Sequence, residues 1–234
     1  MSAPMGFAAG WYAVAIADGL EPGTSAGTRL FDRELVIWRD GDGASHAWED
    51  RCPHRGMRLS FGFVRGNHIA CLYHGWQFDE AGQCRHIPAH PKLDVPETIQ
   101  VVRYPSVEAR GLIWVYSEPV AEAPDAAPDD GAAVPVRSLY VDRDPVAVRL
   151  ALAEGVAGPF ESVGPALHAA RVEGAELLVA LQPFTGARTA LHIVIVGGAP
   201  VPKVVAVWAE ELRRRIEAAP VARPVAVLAE GAAR

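Results

Sequence analysis

The sequence has few cysteines, no basic cluster and no long apolar run. Its 234 residues include three cysteines, an odd number and too few for a disulfide scaffold, so a reducing cytoplasm suits them best. The net charge is -6, which disfavours a nucleic-acid partner because neutralising phosphates needs clustered Lys and Arg. The longest apolar stretch, 191–201, is broken by His192 and two glycines, so we expect no export signal and no membrane span.

Half of the residues are apolar and 21% are charged, the balance of a packed globular protein. Up to residue 118, short segments rich in β-branched and aromatic residues alternate with glycine-containing turns, which predicts a mainly antiparallel β domain. The predicted strands are 11–16, 28–31, 35–38, 44–48, 68–71, 76–78, 99–104 and 112–116.

A stretch rich in proline, alanine and acidic residues, 119–136, has almost nothing large to bury and is predicted to be a linker. It divides the chain into a β domain, 1–118, and a small α+β domain, 137–234. In the second domain we predict a strand at 136–141, overlapping the linker's last residue, and a hairpin that turns near Thr185 and Gly186.

The hairpin strands are expected at 175–181 and 190–196. A helix is predicted at 203–218, because Val204, Val207, Trp208, Leu212 and Ile216 recur at helical spacing.

Two short motifs carry the chemistry of the sequence. Cys52-Pro-His54-Arg-Gly and Cys71-Leu-Tyr-His74-Gly-Trp-Gln-Phe each pair a cysteine with a histidine, in a loop beside a predicted strand. Two thiolates and two imidazoles suit a structural zinc ion, and they are equally the ligands of a Rieske [2Fe-2S] centre. The ligand set alone leaves both possibilities open.

The residues around the ligands strongly resemble the Rieske domain of the aromatic-ring-hydroxylating, phenylpropionate-dioxygenase-like oxygenases. The likeness extends over about residues 8–118. It implies that Cys52 and Cys71 hold one iron of a [2Fe-2S] cluster, and that His54 and His74 hold the other. Respiratory-type Rieske proteins carry a further cysteine in each cluster loop, and neither loop has one here, so that subfamily is excluded.

Other thiols and imidazoles of the β domain receive no chemical role. Cys84 has no partner thiol and is expected to be a buried free cysteine. The remaining histidines of this domain lie on strand edges and turns, where a hydrogen-bonded surface imidazole is the default; they are His46, His68, His86 and His90.

The resemblance also implies a C-terminal helix-grip domain with a mononuclear non-haem Fe(II) on two histidines and one carboxylate. The sequence predicts a shortened version without that set, because only His168 and His192 follow residue 120. The best candidate for a remnant of the iron motif is 154–161. If it is the counterpart, Gly158 replaces the usual Asp, Glu161 replaces the first His, and Ala166 falls near the second. An ordinary loop and helix start explains this segment equally well.

Two weaker possibilities concern the C-terminal histidines. His168 and Glu161 are almost two helical turns apart and would share a weak metal site if 161–168 were a helix, but a satisfied or exposed histidine is the default. His192 is in phase with Val194 and is expected in the core or at its rim.

Three functions share the predicted cluster. The first is an oligomeric electron-transfer oxidoreductase that receives single electrons from a flavin or ferredoxin reductase and passes them to an iron-bearing oxygenase subunit. The second is a self-sufficient oxygenase, a hydroxylase or demethylase with an unconventional iron site. The third is a non-enzymatic subunit for redox sensing or assembly. The missing histidine pair favours the first and third, and we predict the first; the catalytic residues are not identified.

Overall fold

The computed structural model describes residues 7–154, 160–186, 188–199 and 201–219. These residues form sixteen strands in four antiparallel sheets, two α-helices, and two short 3-10 helices at Ala17–Gly19 and Leu59–Phe61. In chain order the strands are β1 (Trp11–Ile16), β2 (Ser25–Leu30), β3 (Arg33–Arg39), β4 (Ser45–Glu49), β5 (Phe63–Arg65), β6 (His68–Ala70), β7 (Gln77–Asp79), β8 (Cys84–His86), β9 (Arg103–Tyr104), β10 (Ser106–Ala109), β11 (Leu112–Tyr116), β12 (Val134–Val141), β13 (Phe160–Gly164), β14 (Leu167–Val172), β15 (Ala175–Thr185) and β16 (Arg188–Gly198). The helices are α1 (Pro145–Ala153) and α2 (Pro202–Ala218).

Three small sheets make up the N-terminal half, with strand orders β1-β11-β10, β2-β3-β4-β9 and β5-β6-β7-β8. The third sheet shares a core with β3 and β4, in which Trp38, Trp48 and Phe78 pack around Cys52 and Cys71. The two cysteines of the sequence motifs therefore lie in one apolar cluster, although 18 residues of chain separate them.

The C-terminal half is one five-stranded sheet of order β12-β16-β15-β14-β13. Both helices cover one face of it. Val148 of α1 and Leu212 of α2 are buried in the same apolar core as Val179 and Ile193 of the central strands. Helix α1 begins where it does because the Asp144 carboxylate accepts the N–H groups of the first turn and a proline occupies the first helical position.

Specific contacts join the two halves. The turn between β2 and β3 donates the N–H of Phe31 to the carbonyl of Pro183, at 2.8 Å. Beside it, the buried Gln182 donates its Nε2 to Thr28 Oγ1, at 2.9 Å. The five-stranded sheet thus bonds directly to the sheet that carries β2 and β3.

The structure confirms the predicted fold class, an antiparallel β half followed by a small α+β half. The predicted strand at 136–141 is β12, the predicted hairpin is β15 and β16, and the predicted helix at 203–218 is α2.

The prediction of a strand over 99–104 is wrong for most of its length. Only Arg103 and Tyr104 form a strand, paired with β4, and Gln100 forms an isolated antiparallel bridge with Gln83. The preceding residues make separate bonds to a turn: Val101 N–H donates to the Gly82 carbonyl and Ile99 C=O accepts from Cys84, both at 2.9 Å. These two bonds flank the bridge between Gln100 and Gln83, and the pairing does not continue into a regular ladder.

The helix considered for 161–168 is also wrong, because Phe160–Gly164 and Leu167–Val172 are paired strands. Ala166 of the connecting turn and His168 and Ala170 of β14 lie on the helix-covered face of the sheet, and Ala166 and His168 are buried there. Packing decides this segment against the helical preference of alanine. Helix α1 was not predicted.

Candidate metal centre

The first motif forms a tight loop after β4. The N–H of Cys52 donates to the carbonyl of Met57, and the N–H of Gly56 donates back to the carbonyl of Cys52, both at 2.8 Å. Gly56 has φ +73°, a left-handed conformation that glycine adopts without steric cost. We call residues 52–57 the first loop.

The second motif repeats this hydrogen-bond pattern at the same spacing. Cys71 N–H donates to the Trp76 carbonyl at 2.9 Å, and Gly75 N–H donates to the Cys71 carbonyl at 3.0 Å. Gly75 also has a left-handed φ, +69°, and a Cβ on it would lie 3.0 Å from Pro88 Cγ. We call residues 71–76 the second loop. The two loops therefore present their cysteines from equivalent positions.

The two thiols lie side by side and are buried. Burial raises the pKa of the Cys52 thiol well above its usual range, and the adjacent Cys71 raises it further. The backbone N–H groups of His54 and Arg55 bond to the Cys52 sulfur and act in the opposite direction. These N–H groups favour a thiolate, the form that binds metal.

The two imidazoles are neighbours as well. The rings of His54 and His74 have their centroids 4.6 Å apart and meet edge to face at 63°. Partial burial lowers the pKa of His54, and the neighbouring His74 and Arg55 lower it further. A lowered pKa favours the neutral ring that binds metal. His54 is half-buried and His74 is exposed, so the pair reaches the protein surface.

This arrangement fits the donor set of a two-iron cluster. Throughout the described part of the chain, no three His, Cys, Asp or Glu side chains lie close enough to hold one metal ion. The four predicted side chains instead form a thiol pair and an imidazole pair on two adjoining loops. A [2Fe-2S] Rieske centre requires that division, with two Cys on one iron and two His on the other.

Aromatic and apolar side chains surround the imidazole pair. Trp76 stacks on His54 with ring centroids 4.4 Å apart and an interplanar angle of 6°. The ring centroid of Tyr73 lies 3.9 Å from that of His74, and Tyr73 is 56% exposed. Leu72, in the same loop as Tyr73 and His74, is also exposed. The sequence marked Trp76 as part of a motif, but no spacing signal showed which ring it would contact.

The other cysteine and histidines of this half lie apart from the two loops' paired side chains. Cys84 is buried and free, as predicted. His46 Nε2 lies 2.8 Å from Asp40 Oδ2, and its ring stacks on Trp38, so it is hydrogen-bonded as expected. His68 and His86 are half-buried and His90 is exposed.

The C-terminal histidines do not meet. His168 on β14 lies opposite Val179, and Val179 lies opposite Ile193 on β16, so these three share one face of the sheet. His192 precedes Ile193 in the same strand and points to the other face. The described residues therefore contain no site built from both histidines.

His192 is 2% exposed and bonded through both ring nitrogens. Gln182 donates its Nε2 to Thr28 and Arg29, so its Oε1 accepts from His192 Nε2–H, at 2.9 Å. Nδ1 then accepts the hydroxyl proton of Ser138, at 2.7 Å. Burial lowers the pKa of His192 to about 4. Its expected position in the core or at the rim is thus the core, and no lone pair is free for a metal.

His168 differs from its expectation, since it is neither satisfied nor exposed. It is 3% exposed, and its Nε2 has no hydrogen-bond partner among the described residues. Burial lowers its pKa, and the charge of Arg149 lowers it further. Glu161 and Ala166, the other parts of the proposed iron remnant, are exposed and buried respectively. Gly158 lies outside the described residues.

Comparison with known proteins defines the class of the N-terminal half. Residues 10–104 match the family model of the Rieske [2Fe-2S] domain, and the two loops lie inside this range. This part of the chain is a Rieske [2Fe-2S] domain, a class that carries a [2Fe-2S] cluster.

The relatives of this domain include Rieske oxygenase components. The oxidoreductase NdmD of Pseudomonas putida is 34% identical over 140 residues, which are 57% of this chain and 24% of NdmD. The oxygenase component of dicamba O-demethylase from Stenotrophomonas maltophilia is 38% identical over 125 residues, 53% of this chain and 36% of that protein. The chain thus spans well under two thirds of the length of these relatives.

Solved structures share the fold beyond the Rieske domain. Apo dicamba monooxygenase superposes with a TM-score of 0.69 at 22% identity, covering 89% of this chain and 85% of that one. NdmA of Pseudomonas putida CBB5 with caffeine gives 0.73 at 19% identity, covering 92% and 84%. At such identities the likeness concerns the fold alone. Among the described residues, no helix is both long and apolar enough to cross a membrane.

Proposed function

We propose that Cys52 and Cys71 hold one iron of the [2Fe-2S] cluster, and that His54 and His74 hold the other. The observation that carries this proposal is the pairing of like donors on two loops with the same hydrogen bonds. A structural zinc ion is the competing occupant, and it would need four donors around one centre. The two separate pairs favour two irons.

When bound, such a cluster carries one electron at a time. The protein keeps the thiol pair in an apolar core and brings the imidazole pair to the surface through the exposed His74. Electrons would therefore enter and leave on the His74 side. The exposed Leu72 and Tyr73, which precede His74 in the second loop, give this side an apolar contact surface.

We further propose that the chain is an oxidoreductase that takes single electrons from a flavin or ferredoxin reductase and passes them to an oxygenase iron on a partner. NdmD and the dicamba O-demethylase component, two relatives of the Rieske domain, are named an oxidoreductase and an oxygenase component. An iron on a partner subunit is favoured because His168 and His192 face opposite sides of their sheet. This role implies an oligomeric assembly, and we place it in the cytoplasm.

A self-sufficient oxygenase is the second candidate, and one observation favours it: the buried Nε2 of His168 has no hydrogen-bond partner in the part of the chain that the structure describes. It would need ligands that the described residues do not bring to His168. A redox-sensing or assembly subunit would have the cluster without an oxygenase iron as its electron acceptor. The proposed division into 1–118, a linker at 119–136 and 137–234 serves all three functions.

Metal analysis separates these functions. Protein purified anaerobically after iron-replete expression should contain two irons and two sulfides per chain, and NADH with a reductase should reduce it in a one-electron step. A third iron per chain would favour the self-sufficient oxygenase. Stoichiometric zinc without sulfide would contradict the cluster. If the cluster exchanges electrons with no reductase and no oxygenase partner, the sensing role is favoured.

A further inference from the structure

Trp76 belongs to the second loop but contacts the histidine of the first. Its indole lies flat on the His54 imidazole, with centroids 4.4 Å apart and planes 6° from parallel. His74, also from the second loop, meets the same imidazole edge to face at 4.6 Å. His54 is therefore contacted by two rings of the opposite loop.

No disulfide bond ties the two loops together, since Cys52, Cys71 and Cys84 form none. Trp76 is itself fixed at two points. Its carbonyl accepts the N–H of Cys71 at 2.9 Å, and its side chain packs against the apolar core that contains both loop cysteines. The position of the indole over His54 is thus set by the second loop, and the stacking links the loops at their imidazole side.

We propose that Trp76 is a positioning residue for the cluster, which holds the His54 ring in its ligating orientation and covers it from water. The proposal rests on the proposed function, because it takes His54 as an iron ligand. Trp76 acts through His54 and touches no reacting atom. Its expected effects are on the orientation of one imidazole, on the retention of iron and on the reduction potential.

The direction of the potential change follows from charge. An oxidised cluster with two thiolates, two sulfides and two neutral imidazoles is electrically neutral, and reduction adds one negative charge. Water stabilises the charged, reduced form, and the negative π face of an indole favours the more cationic imidazole of the oxidised form. Trp76 excludes water and supplies the π face, so both effects lower the potential. Removing the indole should raise it.

The test compares holo wild type with Trp76→Leu and Trp76→Phe, and Trp11→Leu is the matched control. Trp11 is a half-buried tryptophan on β1 that meets Tyr116 edge to face, outside both loops. Three quantities are measured at one fixed pH: the electron paramagnetic resonance spectrum of the reduced protein, the reduction potential, and the rate of iron release to a chelator. Far-UV circular dichroism checks the fold.

Trp76→Leu should broaden or shift the resonance, raise the potential and release iron about fivefold faster, as expected for the loss of one aromatic pair. Trp76→Phe, which keeps a smaller ring, should give values between those of Trp76→Leu and wild type. Trp11→Leu should match wild type in all three. A folded Trp76→Leu protein that cannot retain a cluster also supports the proposal.

Wild-type values for all three quantities in Trp76→Leu would overturn the positioning role while leaving the ligand assignment intact. If Trp76→Leu does not fold, Trp76→Phe decides, and wild-type values there overturn the role. A wild-type protein without a Rieske resonance would remove the ligand assignment, and the positioning role with it.

Discussion

His168 and His192 lie on opposite faces of the same five-stranded sheet, although the strand pairing places His192 only one residue from the position in line with His168. His168 is in line with Val179 and Ile193, and His192 is the next residue before Ile193. Their separation by 24 residues in the chain left open whether they meet in space. The sheet register excludes it, because successive side chains of a strand point to opposite faces.

Replacing either histidine should therefore leave the metal content unchanged. His168→Ala and His192→Ala are expected to keep two irons per chain and the wild-type resonance, and neither wild type nor variant should oxygenate a substrate alone. The assay supplies ferrous iron, NADH, a reductase and a panel of aromatic acids and ethers. Product that forms with wild type and disappears in both variants, with the cluster intact, would reveal an iron site in this sheet.

Acid should destabilise the protein through His192. Its pKa is about 4 in the fold and about 6.5 when unfolded, so the unfolded state binds more protons between these values. Stability is fully present above pH 6.5 and is lost as the pH falls toward 4, by up to about 3 kcal/mol. The buried His168 adds to the loss in the same direction.

Urea unfolding of wild type and His192→Gln at pH 7.5 and pH 5 measures this effect. The Gln variant should be less stable than wild type at pH 7.5, because the bonds to Ser138 and Gln182 are disturbed, but it should lose less stability on acidification. An equal loss in both proteins would show that His192 is not the titrating group.

Gly75→Ala should impair retention of the cluster more than it lowers the stability of the fold. A side chain at this position meets a left-handed φ of +69° and Pro88 at 3.0 Å, and the strain falls on the loop that carries Cys71 and His74. The matched control is Gly23→Ala, at φ +76° with nothing within 4 Å. Each variant should lose about 1 kcal/mol of stability or more.

Only Gly75→Ala should also lower the iron content or speed iron release, measured beside the urea midpoints. Equal iron retention in the two variants would mean that the second loop tolerates the change, and that its geometry does not depend on glycine.

The candidate ligands could be predicted from the sequence because each Cys and His pair lies within one short loop. The stacking of Trp76 on His54 could not, since it depends on how two loops converge in the folded domain. The strands β13 and β14 were also beyond sequence reasoning. The alanines of this segment favour a helix locally, but Ala166, in the turn between the strands, and Ala170 of β14 pack on the helix-covered core, where packing outweighs propensity.

Electron paramagnetic resonance of the dithionite-reduced holo protein tests the ligand assignment most directly, with Cys52→Ser measured beside wild type. Wild type should give the rhombic signal of a Rieske centre, with a reduction potential in the range of about -150 to +300 mV, and Cys52→Ser should abolish the signal. Colourless protein with stoichiometric zinc after iron-replete anaerobic expression, or an unchanged signal in Cys52→Ser, would contradict the assignment of Cys52, His54, Cys71 and His74.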